Sequence, residues 1–298
     1  MDVNPVDTLV APAPVAASNV APATPRRPHL TIRPAKRWVA LDLAEMWKFR
    51  DLLFALAVRD IKLRYKQTAL GVIWVVLQPL MAAGIMSFVF GSVAHLNSGS
   101  IPLFLFIYTG QTAWGLFSNV LTKAGGSLVG NTPLIAKVYF PRLILPFSSA
   151  PSSLLDFGIA LLMLGVLLAI NHIVPTVAML LLPVWIVLLL MYAIGAGLVV
   201  ASLMVSYRDV GYMLPLAMQI LLYACPVIYP VSKIPAKVLF WYHLNPLASI
   251  FEGYSWSVFA QGAPNFERLV FSAAFGVLVL FVGAFSFKRM EKRFADVI

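Results

Sequence analysis

The sequence predicts an all-α membrane protein. Six helices span the bilayer, an amphipathic interface helix precedes the first span, and short re-entrant outer helices lie between spans five and six. Three observations carry this expectation. Apolar residues make up 60% of the chain and charged residues only 11%, against about 25% charged in a soluble domain. Residues 67–122, a run of 56, hold no Lys, Arg, Asp or Glu. The apolar stretches also have lengths near the ~20 residues that cross a bilayer.

Residues 1–37 contain seven Pro and seven Ala with almost no periodicity, and read as a disordered cytoplasmic tail. The tail lacks the continuous apolar core of a cleavable signal. Residues 38–67 form the amphipathic segment. At a helical ~100° per residue, Lys48, Asp51, Arg59, Lys62 and Lys66 share one narrow sector. Met46, Trp47, Leu53, Phe54, Ala57 and Ile61 lie opposite, the pattern of a helix lying in the membrane interface.

The remainder, 68–298, is the membrane domain, with spans expected near 70–94, 101–122, 147–171, 175–203, 212–229 and 268–287. If they alternate, 19 Lys and Arg fall on one side and three (Lys233, Lys237 and Arg268) on the other. The positive-inside rule then puts both termini in the cytoplasm, as an even number of spans also requires. Segment 226–266 is too apolar for a solvent loop and too broken by Pro226, Pro230, Pro235 and Pro246 to span. Re-entrant or interfacial helices fit it.

The basic stretch "RDIKLRYK" runs directly into the first span. Arg59, Lys62, Arg64 and Lys66 hold the cytoplasmic headgroup level and attract anionic lipid. A second role, drawing in a phosphorylated substrate, is open to the same cations. Asp156 falls inside a span, where lipid exposure is costly, and is expected to face the bundle and pair with a hydroxyl or a cation. Glu252 lies in the outer segment, and Arg208 with Asp209 at an inner span end is placed to pair locally. Trp241, Tyr242, Tyr254 and Trp256 suit an interfacial aromatic belt, or the lining of an exit for sugar.

The sequence excludes several classes. The single cysteine, Cys225, rules out an internal disulfide and a cysteine-built zinc site. The acids are scattered, and His95, His172 and His243 fall in outer connections, so neither catalytic residues nor metal ligands are expected. This argues against a membrane glycosyl- or phosphoglycosyl-transferase. No GxxxxGK[ST] motif occurs, so nucleotide hydrolysis is expected elsewhere. Inverted repeats and multiple intramembrane charges, the marks of secondary transporters and channels, are missing from the sequence. The +10 net charge reads as a topology signal rather than a nucleic-acid footprint.

Three stretches together resemble one family: the charged helix running into "LGVIWVVLQP", then "NTPLIAKVYFPRLILP", then "VSYRDVGYMLPLAMQILLYACPVIYPVSKIP" with "LNPLASIFEGY". They resemble the permease subunit of ABC-2 type polysaccharide exporters, which move O-antigen, teichoic acid or capsule chains. The resemblance runs from about residue 45 to 290. It implies a homodimer in the bacterial inner membrane, driven by two cytoplasmic ABC ATPase subunits that hold the ATP and magnesium. This chain would bind no cofactor. It also implies that Asn131, Pro133, Leu134, Lys137, Tyr139, Phe140 and Pro141 form a coupling segment docking on the ATPase. The outer segment would form gate helices, and the N-terminal helix a substrate entry. Trp74, Phe88, Tyr212 and Tyr223, with Tyr229, Trp241, Tyr254 and Trp256, are the channel and gate candidates. The expected substrate is a lipid-linked polysaccharide, O-antigen first.

Overall fold

The computed structural model describes residues 43–66, 71–93, 95–96, 98–262 and 264–297, with side chains from Met46 to Glu291. The 1–37 tail and the turn at Thr68 into the first span lie outside the described residues. Every regular element among those described is helical. In chain order they are α1 (Leu43–Lys48), α2 (Arg50–Tyr65), α3 (Val72–Ser87), α4 (Leu103–Gly130), α5 (Thr132–Lys137), α6 (Ile144–Ile170), α7 (Leu182–Ser206), α8 (Val210–Ala224), α9 (Ala236–His243), α10 (Pro246–Phe259) and α11 (Phe266–Val297).

Among the described residues, four helical stretches are long and apolar enough to cross a membrane: Val72–Val93, Ile144–Ile170, Val177–Ser206 and Phe266–Glu291. The other two expected spans differ from these for distinct physical reasons. α4 has 28 residues, but Gln111, Ser118, Asn119 and Lys123 dilute its hydropathy. Its Thr109, Thr112 and Ser127 are buried against neighbouring protein rather than lipid. α8 has 15 residues, about 22 Å of helix, short of a ~30 Å hydrocarbon core.

α4, α6, α7 and α11 form the packed centre. Without a hydrophobic drive inside lipid, helices associate through close backbone approach and polar contacts. Both are present. Gly195 on α7 faces the α11 backbone so closely that a Cβ would lie 2.7 Å from Leu280 Cα. Tyr192 Oη donates to the Ser272 carbonyl at 2.7 Å, tying the same two helices. The α6 serines spend their hydroxyls locally, Ser148 on Leu145 O at 2.8 Å and Ser149 on Pro146 O at 2.6 Å.

α3 and α8 sit at the margin. Among the described residues α3 buries only Ala83, and α8 only Leu214 and Met218. Both present apolar faces outward, with Trp74, Ile85 and Phe88 on or just past α3 and Tyr212, Leu216, Ile220 and Tyr223 on α8.

The expected single amphipathic helix is two helices, broken at Phe49. α2 lies along α6 and buries Leu56 and Ala57 against it. Phe54 and Leu63 point away, 70% and 68% exposed. The face on the bundle is not purely apolar, because Arg64 lies on it.

Candidate functional site: a cross-linked end and an open end

Helices α4, α6, α7 and α11 each run the length of the bundle and give it two ends. One carries α5, flanked by the end of α4 and the start of α6. α5 is a single six-residue helix with Pro at its start, where a missing N–H costs nothing. Leu134 and Ile135 pack inward against the core, and Phe140 anchors the segment at 5% exposure. Pro133 and Lys137 are exposed, and Val138 and Tyr139 follow at 51% and 60%. The expected coupling segment is thus a short outward ledge held by apolar anchors.

A series of polar contacts ties the helices together around this ledge. Arg64 Nη2 lies 3.0 Å from Asp156 Oδ2, and Tyr65 Oη donates to Asp156 Oδ1. Asp156 therefore takes both a cation and a hydroxyl, both from α2. Burial, reinforced by the hydrogen bond to the carboxylate, pushes the Tyr65 phenol up to about 12. Beside this pair, Lys123 Nζ on α4 donates to Ser152 Oγ on α6 at 3.0 Å. Arg59 Nη2 donates to Asn131 Oδ1 at 2.9 Å, tying α2 to the foot of α5, and contacts Asp60 Oδ1 at 2.9 Å. Arg142 Nη1 donates to the Glu291 carbonyl at 3.1 Å, joining the start of α6 to α11.

The four entry cations therefore divide. Arg59 and Arg64 are spent on contacts within the chain. Lys62 and Lys66 are exposed and line, with Phe54, Leu63 and the outer part of Arg59, a surface groove of about 560 Å³ along α2. Sequence reasoning missed the cross-linking parts of Tyr65, Lys123 and Arg142. The signal was present in the lone intramembrane acid, which needs a partner among the cations at its own level. Arg208 and Asp209 make no ion pair among the described residues.

The opposite end gathers the α3–α4 connection, the end of α8, α9 and α10. Asn245 caps α10, its Oδ1 accepting from Leu247 N at 3.1 Å ahead of Pro246. α10 is largely buried, with Phe251, Tyr254 and Val258 nearly inaccessible. Tyr254 is a correction to the aromatic set. It is fully buried, its hydroxyl 3.1 Å from Thr112 Oγ1, because α10 packs into the bundle instead of lining a surface. Trp256 is half-buried on the same helix. Trp74, Phe88, Tyr212, Tyr223 and Trp241 are exposed, and Tyr229 is half-buried with its hydroxyl donated to the Tyr223 carbonyl at 2.6 Å.

This architecture is that of a multi-pass helical membrane permease, and residues 51–259 match the profile of the ABC-2 type transporter family. The chain belongs to that family, a family of transport permease subunits. It is 28% identical over 254 residues to the O-antigen export system permease protein RfbA of Klebsiella pneumoniae, covering 83% of this chain and 95% of that one. It is 28% identical to the protein of that name from Myxococcus xanthus, over 85% of this chain and 98% of the relative. The polysialic acid transport protein KpsM of Escherichia coli is 25% identical, over 80% and 93%.

Proposed function

We propose that this chain is the membrane subunit of an ATP-driven exporter in the bacterial inner membrane. It would move a lipid-linked polysaccharide, O-antigen first, from cytoplasm to periplasm. The observation that carries the reading is the outward ledge of α5, in a chain whose relatives are named as O-antigen export permeases. Lys137 and Tyr139 stand clear of their own subunit, as a docking surface for an ATPase must.

The physical task is a polymer of hydroxyls crossing hydrocarbon. Each hydroxyl left unpaired costs a few kcal/mol, so the chain needs a hydrated passage. The exposed apolar and aromatic faces of α3 and α8 are the surfaces on which a second copy would complete that passage. Trp74, Phe88, Tyr212 and Tyr223 are the candidate sliding contacts there. α4 and α8 complete six spans, α4 shielded by its neighbours and α8 lengthened by the chain on its far side. α9 and α10 are the re-entrant gate, and both termini are cytoplasmic. Lys62 and Lys66 offer unspent charge to the lipid-linked phosphate, while Arg59 and Arg64 hold α2 in place.

The test is export measured as surface polysaccharide, with the ATPase co-purified. Lys62→Gln with Lys66→Gln should cut export and leave the complex intact. Lys137→Glu with Tyr139→Ala should release the ATPase. Unchanged export in the first variant removes the entry role. Export without nucleotide hydrolysis overturns the reading.

A further inference from the structure

Neighbouring helices shield α4 everywhere except along one strip. At ~100° per residue, Gln111, Gly115, Ser118, Asn119, Thr122 and Gly126 share a sector of about 100°. Thr122 is exposed and the others are half-buried. Ala113, Phe117, Val120 and Ala124 lie opposite and are buried. From Gln111 to Thr122 the strip covers about 16 Å of the middle of the helix. α3 borders it at Gln111, whose Nε2 donates to Met86 Sδ at 3.3 Å. α8 borders it near Gly125, where a Cβ would lie 3.8 Å from Leu214 Cδ2. Beside these contacts the strip is open: a Cβ on Gly115 or Gly126 would meet nothing within 4 Å.

The buried hydroxyls of α4 are spent. Thr109 donates to Leu105 O, Thr112 to Thr109 O and Ser127 to Ala124 O. The polar groups on the strip are not. Asn119 and Thr122 make no side-chain hydrogen bond among the described residues. Ser118 Oγ reaches Gly115 O only at 3.4 Å, and Gln111 spends one N–H on a thioether, a weak acceptor. Lipid tails cannot pair such groups, and leaving them unpaired in hydrocarbon is costly. The exposed faces of α3 and α8 are apolar and suit another protein surface. The strip instead offers amide and hydroxyl donors and acceptors. It carries no charge, and neither does the run 67–122 nor α8. Lys123 follows it in sequence but turns to Ser152. An ionic headgroup or an acidic chain would find no cation along it.

We infer that this strip is a hydrogen-bonding rail for an uncharged glycan chain: the Gln111 and Asn119 amides and the Thr122 hydroxyl pair with successive sugar hydroxyls, and the open space beside Gly115 and Gly126 admits the rings. The inference rests on the export reading, and it adds α4 to the passage walls that α3 and α8 begin. Uncharged partners of this kind bind each hydroxyl weakly, so a chain can advance from one group to the next.

The test is thiol labelling of the permease with its ATPase and ATP in phosphatidylcholine nanodiscs. The reagent is hydroxyethyl methanethiosulfonate, which is uncharged and water-soluble. The wild type, whose lone Cys225 is buried, supplies the background. Thiolates form in water and not in hydrocarbon, so Ser118→Cys and Thr122→Cys should label at least about 10-fold faster than Leu162→Cys, a position 74% exposed on the outer side of α6. Maltoheptaose should slow labelling of Thr122→Cys about 3-fold or more, and tetragalacturonate should not. Gln111→Leu and Asn119→Leu, each made in the Thr122→Cys chain, should remove that protection. Co-purification of the ATPase shows that each variant is assembled. Labelling of the strip no faster than Leu162→Cys overturns the inference. So does equal protection by the two sugars, protection by neither, or protection that survives both leucine variants. Complete disulfide pairing of Asn119→Cys between two copies, without labelling, would assign the strip to the second copy and overturn it too. The assay reads the strip without export. A dry strip therefore leaves the export reading standing, and a failed export assay leaves a hydrated, sugar-protected strip standing.

Discussion

The two ends of the bundle handle polar groups in opposite ways. At the α5 end, Asp156, Arg64, Tyr65, Lys123, Arg59 and Arg142 all find partners on another helix or at its boundary. At the far end, the Tyr242 hydroxyl is buried without a partner among the described residues, and the exposed Lys233 pairs with no acid among them. Cross-links spanning α2, α4, α6 and α11 hold the α5 end as one body, which the proposed docking of an ATPase there requires. On the proposed reading, the end that releases the polymer must exchange partners.

Asp156→Ala is the strongest way to break the cross-linked end. It removes the acceptor for both Arg64 and Tyr65 and leaves a guanidinium at the α2–α6 contact. A fully buried pair broken this way costs about 3–5 kcal/mol. Arg64 keeps 35% side-chain exposure, so about 2–3 kcal/mol is expected. Thermal unfolding in detergent should fall by several degrees, and export should fall with it. A transition temperature like the wild type's would mean that α2 is held by Leu56, Ala57 and the Arg59–Asn131 contact without the Asp156 clamp.

Gly253→Ala strikes the other end. A Cβ there would sit 2.5 Å from two ring carbons of Trp185, whose Nε1 donates to Ser257 Oγ at 2.6 Å. Overpacking of this kind costs about 1–3 kcal/mol. The variant should destabilise α10 while ATPase co-purification stays normal. Loss of the ATPase would show that the ends are not separable.

The contrast between the ends was only partly legible in the sequence. The charge-free run 67–122 and the basic asymmetry indicated a helical membrane protein, because bilayer solvation acts on composition directly. The 131–141 segment was legible because prolines bound it. Asp156 announced itself as a lone acid in an apolar stretch, yet its choice of Arg64 and Tyr65 depends on how α2 turns against α6, which no local pattern encodes. Tyr254 misled for the same reason: an aromatic belt and a packed aromatic core have the same composition. The cavity beside α9 was illegible because it joins residues far apart in the chain, from His95 to Asn245.

Arg59 and Asn131 sharpen the comparison with a smaller effect. Their contact at 2.9 Å crosses from α2 to the foot of α5 but is solvent-exposed, so its contribution to stability is at most about 1 kcal/mol. If it transmits motion, Arg59→Gln and Asn131→Ala should each lower ATP-coupled export, and the double variant should be no worse than either single one. Additive losses would show two independent roles.

The smallest effect is a pH dependence confined to the cross-linked end. Tyr65 titrates at about 12 in the folded chain against 10.0 for a free phenol. A raised folded value means that folding favours the protonated phenol. That contribution is complete below pH 10 and fades as pH rises toward about 12. Ionisation would set a phenolate against the Asp156 carboxylate, so the α2–α6 contact should loosen in that window and not below it. Measured by unfolding between pH 9 and 11.5, the wild type should lose stability faster than Tyr65→Phe, and the two curves should converge at the alkaline limit. Lysine deprotonation affects both proteins alike, so the difference between them isolates Tyr65. Parallel curves would mean that Asp156 is held by Arg64 alone, and the clamp would reduce to a single ion pair.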